Sequence, residues 1–272
     1  MDKKKGKGKK MAIIISGRVT AFIFLVTCLV LFYIFMYMAK RGWKVSIRTF
    51  PAVAAIPEAI GRAAEMGKPI YYSTGYAMET LSNPDQGPQT LAGISILGYV
   101  TKLAARSGVK IYYYTCIPDS LPLVEETMRN AYLEEGKPED FDPDVIRFLS
   151  GQSPYLTATL GFMQRERPAA NIFMGGFYYE AVVMGEAGNT IGAMQISGTA
   201  NTHQMPFFIA TCDYAMISEE LYAASAAIAQ NPDILGTIKG EDIMKLVILA
   251  LIGIGFIISF TGTTFLIDLL RM

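Results

Sequence analysis

Two long uncharged segments flank a region in which short apolar patterns alternate. Residues 19–38 contain no charged side chain, and neither do residues 246–267, which lie between Lys245 and Asp268. A helix rises about 1.5 Å per residue, so about 20 apolar residues cross the roughly 30 Å hydrocarbon core of a bilayer. The pattern predicts two transmembrane helices with both chain termini on the same side of the membrane.

The remaining segments define the other predicted parts of the chain. Residues 1–18 form a Lys-rich basic tail, residues 45–245 form one extramembrane domain, and residues 268–272 form a short tail. A cleaved signal peptide is the competing interpretation of the first apolar segment. That segment exceeds the usual ~7–15 residues of a signal peptide, and no A-x-A-like cleavage site follows it. We therefore favour a retained helix.

Strand and helix patterns alternate through the middle region. Strands are predicted at residues 69–75, 109–115, 170–174, 192–197 and 206–212, and helices at 52–66, 90–106, 121–133, 154–165, 177–187 and 217–230. The last predicted strand, PFFIATC, lacks polar alternation, which is typical of a strand covered on both faces. The order predicts an α/β fold with a Rossmann-like, mostly parallel sheet of about five strands and helices on both faces.

The carboxyl ends of these strands are the expected ligand site, because open parallel sheets bind ligands there. The strand ends are small or polar. The candidate ligand-binding residues are Ser73, Thr74, Gly75, Gly175, Gly176, Ser197, Thr199 and Asn201. Two adjacent glycines that open a helix favour an anion or carboxylate, because their backbone N–H groups are accessible. Ordinary turn formation is the alternative interpretation of the same residues.

His203 is the only histidine, and it follows the fourth predicted strand. Together with Asp213 and Glu180 it forms the candidate catalytic set, since one imidazole and two carboxylates suit general acid–base chemistry. A solvated loop histidine is the alternative. The strand ends carry no P-loop and no G-x-G-x-x-G or G-x-S-x-G motif, which disfavours P-loop nucleotide hydrolysis. No metal site is predicted, and the sequence assigns no cofactor.

Small and sulfur-containing residues suggest two further contacts. Gly255, Ser259 and Thr263 recur at intervals of four in the second apolar segment, which predicts a helix-packing face toward the first segment or a second copy of the chain. Cys116 and Cys212 both fall at predicted strand ends. They are candidates for a disulfide if the domain is exported, and they should be reduced if it is cytoplasmic.

Charge divides the chain into regions of opposite sign. The totals are 24 Lys+Arg and 24 Asp+Glu, but residues 1–44 carry ten basic side chains and one acidic, whereas residues 45–245 carry 13 basic and 22 acidic. An acidic domain disfavours nucleic acid as a partner, because phosphate binding needs clustered Lys and Arg. The basic tail suits anionic lipid headgroups. Basic residues follow the first segment as well as preceding it, so the positive-inside rule leaves the orientation open.

Several segments resemble an uncharacterised family of prokaryotic membrane proteins. They are PAVAAIPEAIGRAAEMGKPI at residues 51–70, LAGISILGYV at 91–100, GAMQISGTANT at 192–202, PFFIATCDY at 206–214 and EELYAAS at 219–225. The resemblance covers most of residues 51–245 and excludes the Lys-rich tail. It implies a two-pass membrane protein of bacteria or archaea with an α/β extramembrane domain, and it supplies no catalytic residues.

These observations favour a non-enzymatic role. The leading hypothesis is a two-pass protein of the cell membrane that displays an acidic α/β domain, either to bind a small ligand or to assemble with itself or other membrane subunits. The alternative is a membrane-tethered enzyme that acts on a small polar or cationic substrate at the carboxyl ends of the strands.

Overall fold

The computed structural model describes residues 19–41, 43, 49–230 and 232–259. They fall into two compact units. One lies within Ser46–Asn231, and the other combines Met1–Val45 with Pro232–Met272. Residues 232–245, predicted as the end of the extramembrane domain, therefore group with the apolar helices.

The described residues form helices α1 Val19–Lys40, α2 Pro51–Met66, α3 Gly87–Ser107, α4 Leu121–Glu134, α5 Gln152–Glu166, α6 Glu180–Ile191, α7 Met205–Thr211, α8 Glu220–Ala229 and α9 Pro232–Ser259, and strands β1 Ile70–Gly75, β2 Ile111–Thr115, β3 Ile146–Phe148, β4 Ala170–Gly176, β5 Met194–Thr199 and β6 Tyr214–Ile217.

The six strands form one parallel sheet in the order β3-β2-β1-β4-β5-β6. Strand β1 is central, and the chain builds outward first through β2 and β3 and then through β4, β5 and β6. This is the strand order of a doubly wound Rossmann sheet. The predicted α/β class and parallel sheet are confirmed, with six strands instead of about five.

Alternating side chains of β1 show that helices cover both faces of the sheet. The Tyr71 hydroxyl is 2.7 Å from the Thr159 hydroxyl on α5, whereas the Tyr72 hydroxyl donates to the Gly93 carbonyl on α3. Successive strand residues point to opposite faces, so α5 and α3 lie on opposite sides. Helices α4 and α8 pack beside α3, and α6 packs between α5 and α7.

Aromatic side chains fill the layer between β1, β2, β4 and the helices α5 to α7. Tyr71 contacts Tyr114 and Phe162 edge-on or at a tilt, with ring centroids 5.6 Å apart in each pair. Phe173 stacks on Phe208 at 5.7 Å. Such pairs add to the burial of large apolar side chains. The strand tyrosines therefore act mainly in packing.

One predicted strand is wrong, and one strand was missed. Residues 206–211 belong to α7, where Phe208 is buried while Phe207 and Ile209 are largely exposed. The apolar residues of this run therefore lie on both the buried and the exposed side of a short helix. The edge strand, β6, follows that helix. Strand β3 has only three residues and lies at the other edge with exposed side chains, so it carries no alternating apolar signal.

In the second unit, α1 and α9 pack against each other. A Cβ at Gly236 would lie 2.6 Å from Met36 Cα, and one at Gly240 would lie 2.8 Å from the Phe32 ring. This spacing of four is the small-residue pattern that lets helices approach closely. A small-residue packing face was predicted from the sequence at Gly255, Ser259 and Thr263. Thr263 lies outside the described residues, and that face stays a prediction.

Within the described ranges, one helix instead of two is long and apolar enough to cross a membrane, over Ala21–Lys40. The first half of α9 carries Lys239, Glu241, Asp242 and Lys245. Its described apolar part, residues 246–259, is shorter than the about 20 residues that a spanning helix needs. The rest of the second predicted span lies outside the described residues.

Candidate functional site

The candidate site lies where the winding of the sheet reverses. The connection after β1 leads to α3 on one face, and the connection after β4 leads to α6 on the other. Adjacent connections that diverge in this way leave an opening at the carboxyl ends of the strands, where Rossmann-like proteins bind ligands. We call the opening between residues 73–79 and 174–180 the switch-point crevice.

Glycines bring the two strand ends together at the floor of the crevice. Gly75 has a φ of +82°, and a Cβ added there would overlap the Gly176 carbonyl oxygen. Gly175 has a φ of +151°, and its Cβ would overlap the Thr74 carbonyl oxygen. Side chains are therefore excluded by both conformation and space. Of the predicted candidates, Gly75, Gly175 and Gly176 lie at the floor as a tight backbone contact.

The hydroxyls at the end of β1 have partners inside the fold. Ser73 Oγ is hydrogen-bonded to the Tyr155 hydroxyl and accepts from the Gly75 N–H at 3.0 Å. Thr74 Oγ1 is 2.7 Å from the Tyr113 hydroxyl. Both residues are fully buried. The structure therefore places Ser73 and Thr74 beneath the crevice, where they fix the strand end.

Glu180 is the buried charge of the crevice. It is the first residue of α6 and is 0% exposed. Its Oε1 accepts from the Tyr76 backbone N–H at 3.2 Å, and its Oε2 accepts from Gln152 Nε2 at 2.7 Å. Burial raises the pKa of the Glu180 carboxyl, and hydrogen bonds from the backbone of Glu180 and Tyr178, from Gln152 and from the Tyr76 backbone oppose the rise. No ion pair joins Glu180 to a cation within the described ranges.

Aromatic rings form the rim above Glu180. The Tyr76 and Tyr178 rings come from the two diverging connections and meet edge to face, with centroids 6.2 Å apart. The exposed His203 ring lies 6.1 Å from Tyr178. Burial raises the pKa of both tyrosines, and Glu180 contributes to both shifts. Each tyrosine is thus close to negative charge and to its neighbour's ring.

All the charged residues at the carboxyl edge of the sheet are acidic. The six connections there contain Glu79, Asp85, Asp119 and Glu219, and they contain no Lys or Arg. These connections are residues 76–86, 116–120, 149–151, 177–179, 200–204 and 218–219. The potential at this edge is therefore negative, which opposes binding of a phosphate group.

An amide cluster closes the side of the crevice next to β5. Asn201 Oδ1 accepts from Gln86 Nε2 and from Gln89 Nε2, both at 3.0 Å. Asn201 Nδ2 donates to Gln86 Oε1 at 3.0 Å and to the Phe177 carbonyl at 2.7 Å. Asn201 was predicted as a ligand residue, and its amide atoms are all engaged within the protein. Gln86 and Gln89 were not among the predicted site residues, because isolated glutamines form no recognisable sequence motif.

The two remaining ligand candidates lie on β5 and are also engaged internally. Thr199 Oγ1 donates to Gln89 Oε1 at 3.3 Å and accepts from the Asn201 N–H at 3.2 Å. Ser197 Oγ donates to the Tyr214 carbonyl of the neighbouring strand at 3.4 Å. These hydroxyls support the edge strands and the amide cluster.

The structure brings together two of the three candidate catalytic residues at one edge. Glu180 and His203 follow β4 and β5 at the carboxyl edge. Asp213 precedes β6, and its Oδ2 accepts from the Gln195 N–H at 2.7 Å near the start of β5. The six residues of β5 span about 20 Å, so Asp213 lies at the opposite edge. The reason is that residues 205–211 form a helix that returns the chain to the amino edge.

Metal ligation finds no support in the geometry. Across residues 19–41, 43, 49–230 and 232–259 there is no group of three or more His, Cys, Asp or Glu side chains suited to hold a metal ion. Glu180 uses both carboxylate oxygens for hydrogen bonds to Tyr76 and Gln152.

Cys116 is buried, Cys212 is partly buried, and the two thiols are far apart. Burial raises the pKa of Cys116 to about 12 and that of Cys212 to about 11, so both are protonated and unreactive. Cys116 follows β2 and Cys212 precedes β6, with β1, β4 and β5 between them. Four strand spacings amount to roughly 19 Å, whereas a disulfide needs Cα atoms within about 7 Å. The two cysteines of one chain therefore cannot pair.

A separate cavity of about 380 Å³ lies at the β6 edge of the sheet. It is lined by Thr49, Phe50, Pro51, Ala52, Tyr214, Ala215, Met216 and Glu220. None of the candidate site residues lines this cavity. The chemistry and the fold both point to the switch-point crevice instead.

Comparison with known proteins places the chain in an uncharacterised group. The sequence profile of a family described as a domain of unknown function matches residues 9–270. The match extends beyond residues 51–245, where the resemblance was noted, and includes both apolar segments. No curated protein and no solved structure matches the chain.

Proposed function

Because the chain belongs to the DUF6754 family, a family of unknown function, we propose a function from the geometry of the crevice. The protein is a membrane-associated binding protein, and its α/β unit takes a small polar ligand that carries a positive charge. The observation that carries this proposal is Glu180, a fully buried carboxylate at the switch point of the sheet.

A buried carboxylate without a cation is costly, and a bound cation relieves that cost. Removing a charge from water costs several kcal/mol unless hydrogen bonds or an opposite charge compensate. Hydrogen bonds from the Tyr76 backbone, the Gln152 side chain and the backbone of Tyr178 and Glu180 compensate part of this cost. None of these donors carries a positive charge. An ammonium or guanidinium group on the ligand would supply that charge.

The rim supports the same class of ligand. The rings of Tyr76 and Tyr178 are 6.2 Å apart, and an organic cation gains about 0.5–2 kcal/mol from the face of an aromatic ring. The absence of Lys and Arg from the described carboxyl-edge connections argues against a nucleotide or another phosphate ester. The expectation of an anion at Gly175 and Gly176 is therefore replaced by a cation at Glu180.

A binding role fits the crevice better than the enzyme hypothesis. That hypothesis required His203, Asp213, Glu180 and the Gly175–Gly176 turn in one pocket. Asp213 contributes no group to the crevice, because its carboxylate lies at the amino edge and accepts a hydrogen bond from the Gln195 N–H. Catalytic groups must reach one substrate by hydrogen bonds, so the remaining groups are more suited to recognition.

Membrane association is proposed from the apolar helices. Helix α1 contains 20 residues with the length and composition of a spanning helix, and α9 continues into the second apolar segment. The protein is then a two-pass protein of a prokaryotic cell membrane, with its termini on one side and its basic tail against anionic headgroups. Self-association or assembly with other membrane subunits is compatible with this arrangement.

Organic cations test the proposed ligand class directly. The full-length protein in detergent is heated with arginine, choline or ethanolamine as probes, and with AMP as an anionic comparison. We expect at least one cation to raise the melting temperature in a concentration-dependent way, because a ligand that binds only the folded state stabilises it. We expect AMP to leave the melting temperature unchanged.

Two glutamate variants assign the effect to the crevice. Glu180→Gln removes the charge and should lower the affinity at least tenfold. Glu186→Gln changes an exposed glutamate on the same helix and should bind as the wild type does. The proposal fails if none of the three cations raises the melting temperature, if AMP alone does, or if Glu180→Gln binds unchanged.

A further inference from the structure

The connection after β1 crosses the mouth of the crevice. Residues 76–86 contact three other carboxyl-edge connections. The Tyr76 N–H donates to Glu180, Thr80 Oγ1 donates to Asp119 Oδ2 at 3.0 Å, and Gln86 exchanges two hydrogen bonds with Asn201. We call residues 76–86 the strap. Its two ends are thus tied to opposite sides of the crevice.

The strap is strained between its fixed ends. Met78 has a φ of 58° and Glu79 has a φ of 60°, two consecutive residues other than glycine in the left-handed region. Side chains with a Cβ disfavour this conformation, which persists only where the surroundings impose it. Both side chains are exposed, and that of Met78 is 49% exposed, so packing contributes little to hold them.

The amino end of the strap covers the Cys116 thiol and the Glu180 carboxylate. Cys116 is 1% exposed, and its thiol lies 3.8 Å from the Tyr76 carbonyl oxygen. The Tyr76 ring contacts the Tyr178 ring across the crevice, and the Tyr76 N–H contacts Glu180. A ligand that reaches Glu180 must pass the segment that makes these contacts. Access to Glu180 and access to Cys116 therefore depend on the same backbone.

We propose that the strap opens and closes the switch-point crevice, with the Gln86–Asn201 pair as its latch and the Met78–Glu79 strain favouring the open state. Closure places Tyr76 over Cys116 and against Glu180, and opening exposes both. This inference deepens the proposed function, since the ligand that the strap admits is the one that binds Glu180. Its test needs no ligand, because Cys116 reports opening by itself.

The test measures the rate at which DTNB labels Cys116. The full-length protein carries Cys28→Ser and Cys212→Ser, so Cys116 is its only thiol, and labelling is followed in detergent without denaturant. Adding Gln86→Ala removes the latch and should raise the labelling rate at least tenfold. Asp213→Ala is the control. It removes a 2.7 Å hydrogen bond from the Gln195 N–H at the opposite edge of the sheet, and it should change the rate less than threefold.

A second variant acts in the opposite direction. Met78→Asn places a residue that tolerates the left-handed region at a strained and exposed position. It should stabilise the closed strap and slow labelling about threefold. General destabilisation cannot produce a slower rate, so this variant separates opening of the strap from loss of the fold.

The outcomes are decisive without knowledge of the ligand. Equal labelling rates in Gln86→Ala and Asp213→Ala, or rates that simply follow the urea stability of each variant, overturn the strap. Unchanged or faster labelling in Met78→Asn also overturns it. If the variants change the labelling rate as expected and no cationic probe binds, the proposed opening of the strap is supported and the proposed ligand class is wrong.

Discussion

The two edges of the sheet carry connections that differ in charge. The amino edge holds the helix-to-strand connections, and the carboxyl edge holds the strand-to-helix connections. At the amino edge, Lys68, Lys110, Lys137 and Arg167 accompany a larger number of acidic residues, and Lys110 pairs with Asp142 at 3.5 Å. At the carboxyl edge, Glu79, Asp85, Asp119 and Glu180 form no ion pair with any other described residue. The amino edge therefore neutralises part of its negative charge within the chain, whereas the carboxyl-edge connections contain no Lys or Arg.

The glycines of the two edges differ in the same way. Gly67, Gly108 and Gly192 end helices at the amino edge in the left-handed conformation, and a Cβ on any of them would meet open space. Gly75 and Gly175 at the carboxyl edge face backbone of the neighbouring strand. The amino edge therefore uses general helix endings, and the carboxyl edge is shaped for close contact. This contrast supports the choice of the carboxyl edge as the candidate site.

Replacing one left-handed glycine at each edge by alanine tests this contrast, and it has the largest expected effect. Gly75→Ala adds both backbone strain and overlap with the Gly176 carbonyl, so we expect a loss of about 3 kcal/mol or more in the free energy of unfolding. Gly192→Ala adds strain alone and should cost about 1 kcal/mol. Urea unfolding followed by circular dichroism measures both. Equal losses would show that the carboxyl-edge glycines are ordinary turn residues.

A substitution at Asp213 separates stability from ligand binding. Asp213→Ala leaves the buried N–H of Gln195 without its acceptor, which should lower the free energy of unfolding by about 1–3 kcal/mol. Asp213→Asn keeps an acceptor oxygen and should recover part of this loss. Binding of the cationic probes should be unchanged in both, because Asp213 lies at the amino edge. Weaker binding in the folded Asn variant would link Asp213 to the crevice.

The smallest expected effect is a pH dependence that comes from Glu180. Burial raises the pKa of Glu180 above its ordinary value of 4.5, so the folded protein binds its proton more tightly than the unfolded chain does. This stabilisation is complete below the ordinary pKa and is lost as pH rises through the raised pKa. The loss is at most about 1.4 kcal/mol per pH unit within that interval.

Comparison of two glutamate variants tests whether Glu180 causes this dependence of the free energy of unfolding on pH. Urea midpoints measured against pH should lose this component in Glu180→Gln and keep it in Glu186→Gln. Cation affinity should change in the opposite sense and rise with pH over the same interval, because the ligand binds the ionised carboxylate. An identical pH profile in wild type and Glu180→Gln would contradict the assignment.

Much of the fold follows from local patterns along the chain. Gly67 and Gly108 end α2 and α3 close to the predicted positions, and the strands that begin at Ile70 and Ala170 lie where Ile- and Tyr-rich or apolar runs predict them. Local signals succeed there because helix endings and buried strands have distinct residue requirements. They failed at α7, because a seven-residue helix with apolar residues on all sides has the composition of a buried strand.

The sequence by itself determined the α/β class, the acidic character of the middle unit, the apolar helix α1 and the strand ends at which a site should lie. Tertiary structure alone decided which of those ends meet. The order β3-β2-β1-β4-β5-β6 brought Glu180 beside Tyr76 and Asn201 beside Gln86 and Gln89, while helix α7 placed Asp213 at the opposite edge. Local propensity depends on neighbours in sequence, whereas a site depends on strand order, and strand order is fixed by contacts between residues far apart in the chain.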